Sequence, residues 1–130
     1  MNIREDFVSF ETAKILKEKG FNEQTRDFYR FKNNIWIHRN TYEYLYFNLS
    51  MPKWENCYSC PTLQMVMKWL REVYNINVDI VPIWNQKQFE YQVFVVTPEN
   101  AKHCYIDDKL YLGYEQACEV AIKYCLENLI

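Results

Sequence analysis

Three features of the sequence predict an α+β fold: an antiparallel sheet from two hairpins, two to three helices packed on it, and the order α-β-β-α-β-β-(β)-α. Apolar side chains recur at helical spacing in three stretches, near residues 10–19, 62–74 and 114–128. Between these stretches apolar and polar residues alternate, the mark of strands with one buried face. Within each hairpin the link between the alternating runs is too short to hold the crossover helix that parallel strands need.

The first helix is expected from Phe10 to Lys19. Ser9 can cap it by accepting a bond from a free amide of the first turn. Val8, Thr12, Ile15, Leu16 and Lys19 share one face, while Lys14, Lys17 and Glu18 turn to water. Gly20 supplies the left-handed position that ends the helix, and Phe21 the apolar residue that follows such a stop. A hairpin comes next, Phe28–Phe31 with Ile35–His38, around Lys32-Asn33-Asn34, since Asn tolerates the positive φ of tight turns. Residues 40–60 are irregular: 42–47 fits a strand or a helical turn, and 51–54 reads as loop.

The second helix is the clearest element. Ser59 or Cys60 caps it, Pro61 can occupy its first turn, and residues 62–74 carry the stripe Leu63, Val66, Met67, Leu70 and Val73, widened by Trp69. Trp69 and Leu70 are expected in the core. Asn75 ends the helix. Ile76, Val78 and Ile80 then alternate with Asn77 and Asp79, and Phe89, Tyr91, Val93 and Val95 with Glu90, Gln92 and Phe94. Residues 76–97 therefore form a second hairpin, provided that Pro82 lies on an edge or at a bulge. A short strand is expected at Cys104–Ile106. The last helix, 114–128, should bury Ala117, Val120, Ala121, Tyr124, Cys125 and Leu126.

The totals narrow the function classes. A length of 130 residues suits a single domain spanning 1–130, and 49% apolar with 25% charged residues is the composition of a folded globule. A net charge of −2 lacks the basic excess with which proteins hold duplex nucleic acid. No apolar run reaches the 18 or so residues of a membrane span, and the acidic start Met1-Asn2-Ile3-Arg4-Glu5-Asp6 is unlike a secretory signal. Five Cys in such a chain suggest free thiols in a reducing cytoplasm.

The stretches 10–21, 61–73 and 113 to the C-terminus resemble a group of small uncharacterised proteins from phages and prophages of gut Bacteroidetes. The likeness covers most of the chain in order, and 40–60 least. It implies a mobile-element origin and a cytoplasmic setting. The group has no assigned activity, so the resemblance transfers no site residue. It often carries Ala where Cys60 stands here, which argues against a cysteine mechanism.

Cys57-Tyr58-Ser59-Cys60 has the spacing of a redox or metal pair, and a thiol at a helix entrance has its pKa lowered by the helix dipole. Thioredoxin-like chemistry, however, requires a parallel βαβ unit around the motif. A zinc site would add His103 and Cys104, but neighbours on a strand point to opposite faces. The more ordinary reading is two small residues at a helix entrance. His38 and His103 lie in no nucleophile motif, Asp107-Asp108 before Lys109 reads as a turn, and two Gly cannot build a phosphate loop. No catalytic residue, metal or cofactor is assigned.

The order α-β-β-β-α over 61–130 matches a double-stranded RNA-binding domain. The expected lysine cluster is replaced by Gly113-Tyr114-Glu115-Gln116, which disfavours nucleic acid. A non-enzymatic protein–protein interaction module remains, with a protein partner or self-association and no membrane contact. The candidate surface is the aromatic run Tyr42, Tyr44, Tyr46 and Phe47 with Trp54 and Tyr58. These rings exceed what a core already supplied by three helices and two hairpins can take.

Overall fold

A computed structural model of the chain describes residues 5–32, 35–40, 57–99, 101–106 and 109–130. Their order is α1 (Phe10–Glu18), β1 (Asp27–Lys32), β2 (Ile35–Asn40), β3 (Cys57–Ser59), α2 (Leu63–Tyr74), β4 (Ile76–Ile83), β5 (Gln88–Val96), β6 (Ala101–Ile106) and α3 (Tyr114–Asn128). The fold is α+β, and all its strand pairs are antiparallel. The chain divides into two compact units, residues 1–62 and 63–130.

In the first unit, α1 begins and ends as its local sequence requires. Ser9 is extended, and its Oγ accepts from the Thr12 amide at 3.3 Å. At the other end Gly20 has φ +88, the Gly20 amide donates to the Lys17 carbonyl and the Phe21 amide to the Leu16 carbonyl. That pair of bonds is a Schellman stop, and the two apolar residues that frame it, Leu16 and Phe21, are fully buried. The helix buries Thr12, Ala13 and Leu16, while Ile15 is only half-buried.

The three-stranded sheet of this unit has the order β2-β1-β3. Its hairpin pairs Tyr29 with His38 and Phe31 with Trp36, and β3 sets Tyr58 opposite Tyr29 on the other side of β1. Residues that pair share a face, so Asp27, Tyr29, Tyr58 and His38 belong to one face and Phe28, Cys57 and Ser59 to the other. Phe10 of α1 meets both Tyr29 and Tyr58 edge-on, with ring centroids 5.7 Å apart in each case. The segment before α1 is tied in by the Tyr29 hydroxyl, which donates to the Val8 carbonyl at 2.7 Å, and by the Val8 amide, which donates to the Pro61 carbonyl at 3.1 Å.

In the second unit the sheet order is β4-β5-β6. Helices α2 and α3 pack on β4, α3 also on β5, and the two helices touch each other. The covered face is the alternating set read from the sequence: Ile76, Val78, Tyr91 and Val93 are buried, and Ile80, Phe89 and Val95 are half-buried. Trp69 and Leu70 are buried as expected, whereas Val73 is 54% exposed and leaves the predicted stripe. In α3 the buried residues are Ala117, Cys118, Ala121, Ile122, Cys125 and Leu126, so Cys118 and Ile122 take the core places expected of Val120 and Tyr124. Asn75 has φ 58 and turns the chain directly from α2 into β4.

Pro82 lies on an edge strand, as its presence demands. The Val96 amide donates to the Asn75 carbonyl at 2.8 Å, which makes Asn75–Val96 a bonded pair. Bonded pairs recur every second residue, so 77, 79, 81 and 83 turn their amides to β5 and Pro82 faces outward. Its missing N–H costs the ladder nothing.

One expectation is corrected. The hairpins 28–38 and 76–97 do not share a sheet; each completes its own. The second edge of β1 is taken by β3 and that of β5 by β6, so each central strand has both sets of backbone groups bonded within its own unit. Strand β6 starts three residues before the predicted Cys104. Among the described residues no helix is long and apolar enough to cross a membrane.

Candidate interaction surface at the β4–β5 hairpin tip

Cys57 and Cys60 do not sit as a redox pair would. Cys57 is in β3, antiparallel to β1, and both thiols are buried. Burial pushes the Cys57 thiol above its ordinary pKa, against weaker opposing pulls from Arg30 and Lys17. That is the reverse of the lowering expected at a helix entrance, and it withholds the thiolate that exchange chemistry needs. Cys60 donates its S–H to the Val8 carbonyl at 3.7 Å, and its amide bonds the Asp27 carbonyl at 2.9 Å, so its backbone belongs to the β1 edge. Among the described residues no three His, Cys, Asp or Glu are grouped to hold a metal ion. The side chains of His103 and Cys104, and residues Asp107 and Asp108, lie outside the described residues.

The tertiary structure brings together one pair that the sequence reading missed. His38 Nε2 lies 2.6 Å from Asp27 Oδ2, a diagonal contact between β2 and β1. The Phe7 ring stands edge-on to His38 at 4.9 Å. His38 and Asp27 are eleven positions apart in the sequence, and only the hairpin register makes them neighbours. With the Phe7 and Tyr29 rings against His38, the pair forms a polar clip beside aromatic side chains, which is a structural arrangement.

Of the aromatic run read as an interaction surface, Tyr42, Tyr44, Tyr46, Phe47 and Trp54 lie outside the described residues. Tyr58 is described, and it is half-buried beneath α1. Its ring takes the Phe10 edge on one contact and the Lys17 ammonium, 5.1 Å from its centroid, on another. Lys17 also donates to the Cys57 carbonyl at 3.0 Å. Tyr58 is therefore a packing residue of the first unit.

The second unit has the element order of a double-stranded RNA-binding domain, and its electrostatics oppose that use. Residues 63–130 hold six Lys and Arg against nine Asp and Glu, a net charge of −3. At the start of α3, where phosphate would be held, stands Tyr114. Its hydroxyl accepts from Gln64 Nε2 at 3.2 Å. That bond pulls its pKa down, but burial together with Cys118 and Glu115 outweighs it and holds the phenol above its ordinary value.

Among the described residues of this unit, the two most exposed large apolar side chains lie at one end. Trp84, in the turn between β4 and β5, is 85% exposed, and Leu112, just before α3, is 78% exposed. The register puts them at the same end. Pro82 pairs with Phe89 across the hairpin, and Phe89 exchanges two backbone bonds of 2.8 Å with Tyr111 on its far side. Trp84 lies two residues beyond Pro82 and Leu112 one beyond Tyr111, in the same direction. Two strand spacings, about 10 Å, separate the two lines of chain. Phe89, on the strand between them, meets Tyr114 edge-on at 6.0 Å.

The chain matches no known protein family, no curated protein and no solved structure. No relative therefore supplies a role for these residues, and the surface has to be read from its own chemistry.

The turn that carries Trp84 is held in a demanding conformation. Asn85 and Lys87 have φ of 65 and 50, and the Gln86 amide donates to the Ile83 carbonyl at 3.3 Å. Asn adopts the left-handed region readily. A lysine there costs roughly 1 kcal/mol. Trp84 belongs neither to the helical stripe of α2 nor to the alternating sets of the hairpin, so no periodic signal points to it. The signal that could have found it is its place after Pro82 and before Asn85, the residues that mark a turn.

Proposed function

We propose that this protein is a non-enzymatic interaction module, of the kind that small phage- and prophage-encoded proteins provide, and that it meets another protein chain through the β4–β5 hairpin tip. The observation that carries this reading is the exposure of Trp84 beside the exposed Leu112. Exposed apolar side chains scattered singly are ordinary, but a large ring and a long aliphatic chain at one end of a sheet create an apolar patch of the kind that marks binding surfaces. Tryptophan is also the side chain most often found as a binding anchor, because its rigid ring buries much area at little entropic cost. The turn backbone that carries Trp84 is defined by the left-handed Asn85 and Lys87 and by the flanking Ile83–Gln88 pair.

Quantitative affinity capture from cells producing the tagged chain tests the proposal. Proteins held by the wild type should be lost from Trp84→Ala and from Leu112→Ala. They should be retained by Val73→Ala, which trims an equally apolar exposed side chain away from the tip. Capture that is indifferent to Trp84 and Leu112 would remove the reading.

A further inference from the structure

We infer that the partner segment received at the hairpin tip is acidic, with a carboxylate between apolar side chains, and that Lys87 selects it. This rests on the interaction reading above and names the chemistry of the partner that the same surface takes. Trp84 continues the line of β4, and Leu112 continues the line of Tyr111. Phe89 of β5 pairs with Pro82 on one side and with Tyr111 on the other. Lys87, two residues before Phe89, therefore stands on the middle line, between the two exposed apolar side chains.

Charge determines what the partner brings. Among residues 82–89 and 110–113, Lys87 is the single charged side chain. It is exposed, and it makes no ion pair among the described residues. The described acids nearest along the chain point elsewhere. Glu90 follows Phe89 on β5, so its side chain lies on the opposite face of the sheet. Glu115 reaches back over the start of its own helix: its Oε2 is 3.8 Å from the place a Cβ would take on Gly113, where the α3 dipole favours a carboxylate. A segment that covers both Trp84 and Leu112 also covers Lys87. If it is wholly apolar it strips water from the ammonium and returns nothing, a cost that rejects it; a carboxylate at that point pairs the charge. The net charge of −3 on residues 63–130 lies outside the tip residues and is screened beyond about 8 Å at physiological salt, so the contact charge decides. The backbone agrees with a working role for this side chain. Lys87 holds φ 50, where a lysine is strained and a glycine is not, and strain of this kind collects where a side chain is needed in place.

Selection from a random-peptide library, with the full chain as bait, reads the preference directly. The wild type should enrich sequences in which Asp or Glu is flanked on both sides by apolar residues. A labelled peptide from that set, followed by fluorescence anisotropy, should bind Lys87→Gln at least about tenfold more weakly than the wild type. Lys87→Glu should turn the selection toward Lys or Arg between apolar residues, a reversal that a loss of stability cannot imitate. Lys87→Gly should also lose the acidic preference while melting as high as the wild type, because glycine accepts the backbone of this position. Enriched sequences without acids, a preference that Lys87→Glu leaves unchanged, or a library from which nothing is enriched overturns the inference. If the enriched peptides need Trp84 and Leu112 but ignore the charge at position 87, the acidic partner falls and the interaction reading stands. The same holds if nothing is enriched while Trp84→Ala still loses captured cellular protein. If neither peptides nor captured proteins respond to Trp84 and Leu112, both fall.

Discussion

Leu70→Ala should destabilise the second unit strongly, and Val73→Ala, one turn further along the same helix, should not. Leu70 is fully buried on α2, and α2 is packed against both β4 and α3. The substitution removes three carbons from the core, about 2.5 kcal/mol at roughly 0.8 kcal/mol for each buried methylene. A residual cavity adds to that, because walls supplied by a strand and a second helix close in only partly. The expected loss is then about 3–5 kcal/mol. Val73 is 54% exposed, so trimming it costs little transfer free energy, and alanine recovers roughly 0.5 kcal/mol of helix propensity. The expected change there is within about 0.5 kcal/mol. Urea unfolding followed by far-ultraviolet circular dichroism measures both. With a denaturant slope of about 2 kcal/mol/M, Leu70→Ala should lower the midpoint by roughly 1.5–2.5 M and leave the slope unchanged. A loss below about 1 kcal/mol for Leu70→Ala, or above that for Val73→Ala, would mean that the packing of α2 has been misunderstood.

Three further outcomes are expected. Since burial raises the Cys57 pKa, the folded chain favours the neutral thiol. Its contribution to stability is complete below the ordinary thiol pKa and is lost as pH rises above it; melting temperatures from pH 7 to 10 should fall less steeply in Cys57→Ala, and alkylation of Cys57 at neutral pH should be slow until the chain is unfolded. Ser9→Ala removes the oxygen that accepts from Thr12 and should cost about 1 kcal/mol, with Ser9→Asp recovering most of it, as read by thermal melts of the three proteins. His38→Ala withdraws the bond to the largely buried Asp27 carboxylate and should cost about 1–3 kcal/mol, while adding Asp27→Asn to it should recover part of the loss in a double-mutant cycle.

Much of the fold could be read from the sequence because its signals act over a few residues. Ser9 and the Gly20–Phe21 stop bound α1 through bonds that span five residues or fewer. Alternation in 76–80 and 89–95 marks the covered face of the second sheet, because side-chain direction in a strand follows from the backbone alone. Pro82 announced an edge strand for the same local reason, the absence of one N–H.

What the sequence left open depended on partners distant along the chain. Strand β3 is three residues long, too short for a periodic pattern, and becomes a strand only because β1 has an edge to offer it. That capture separates the two hairpins into different sheets, and it takes Cys57 from an expected helix entrance to a buried strand where the thiol is held neutral. The His38–Asp27 bond exists only in the register of the β1–β2 hairpin. Exposure is the least local property of all. Leu70 and Val73 belong to one apolar stripe, and Trp69 and Trp84 are the same residue type, yet one of each pair is buried and the other faces water. Which is which follows from where a strand or a helix lies across the element, and a pattern along one element does not contain the position of its neighbours.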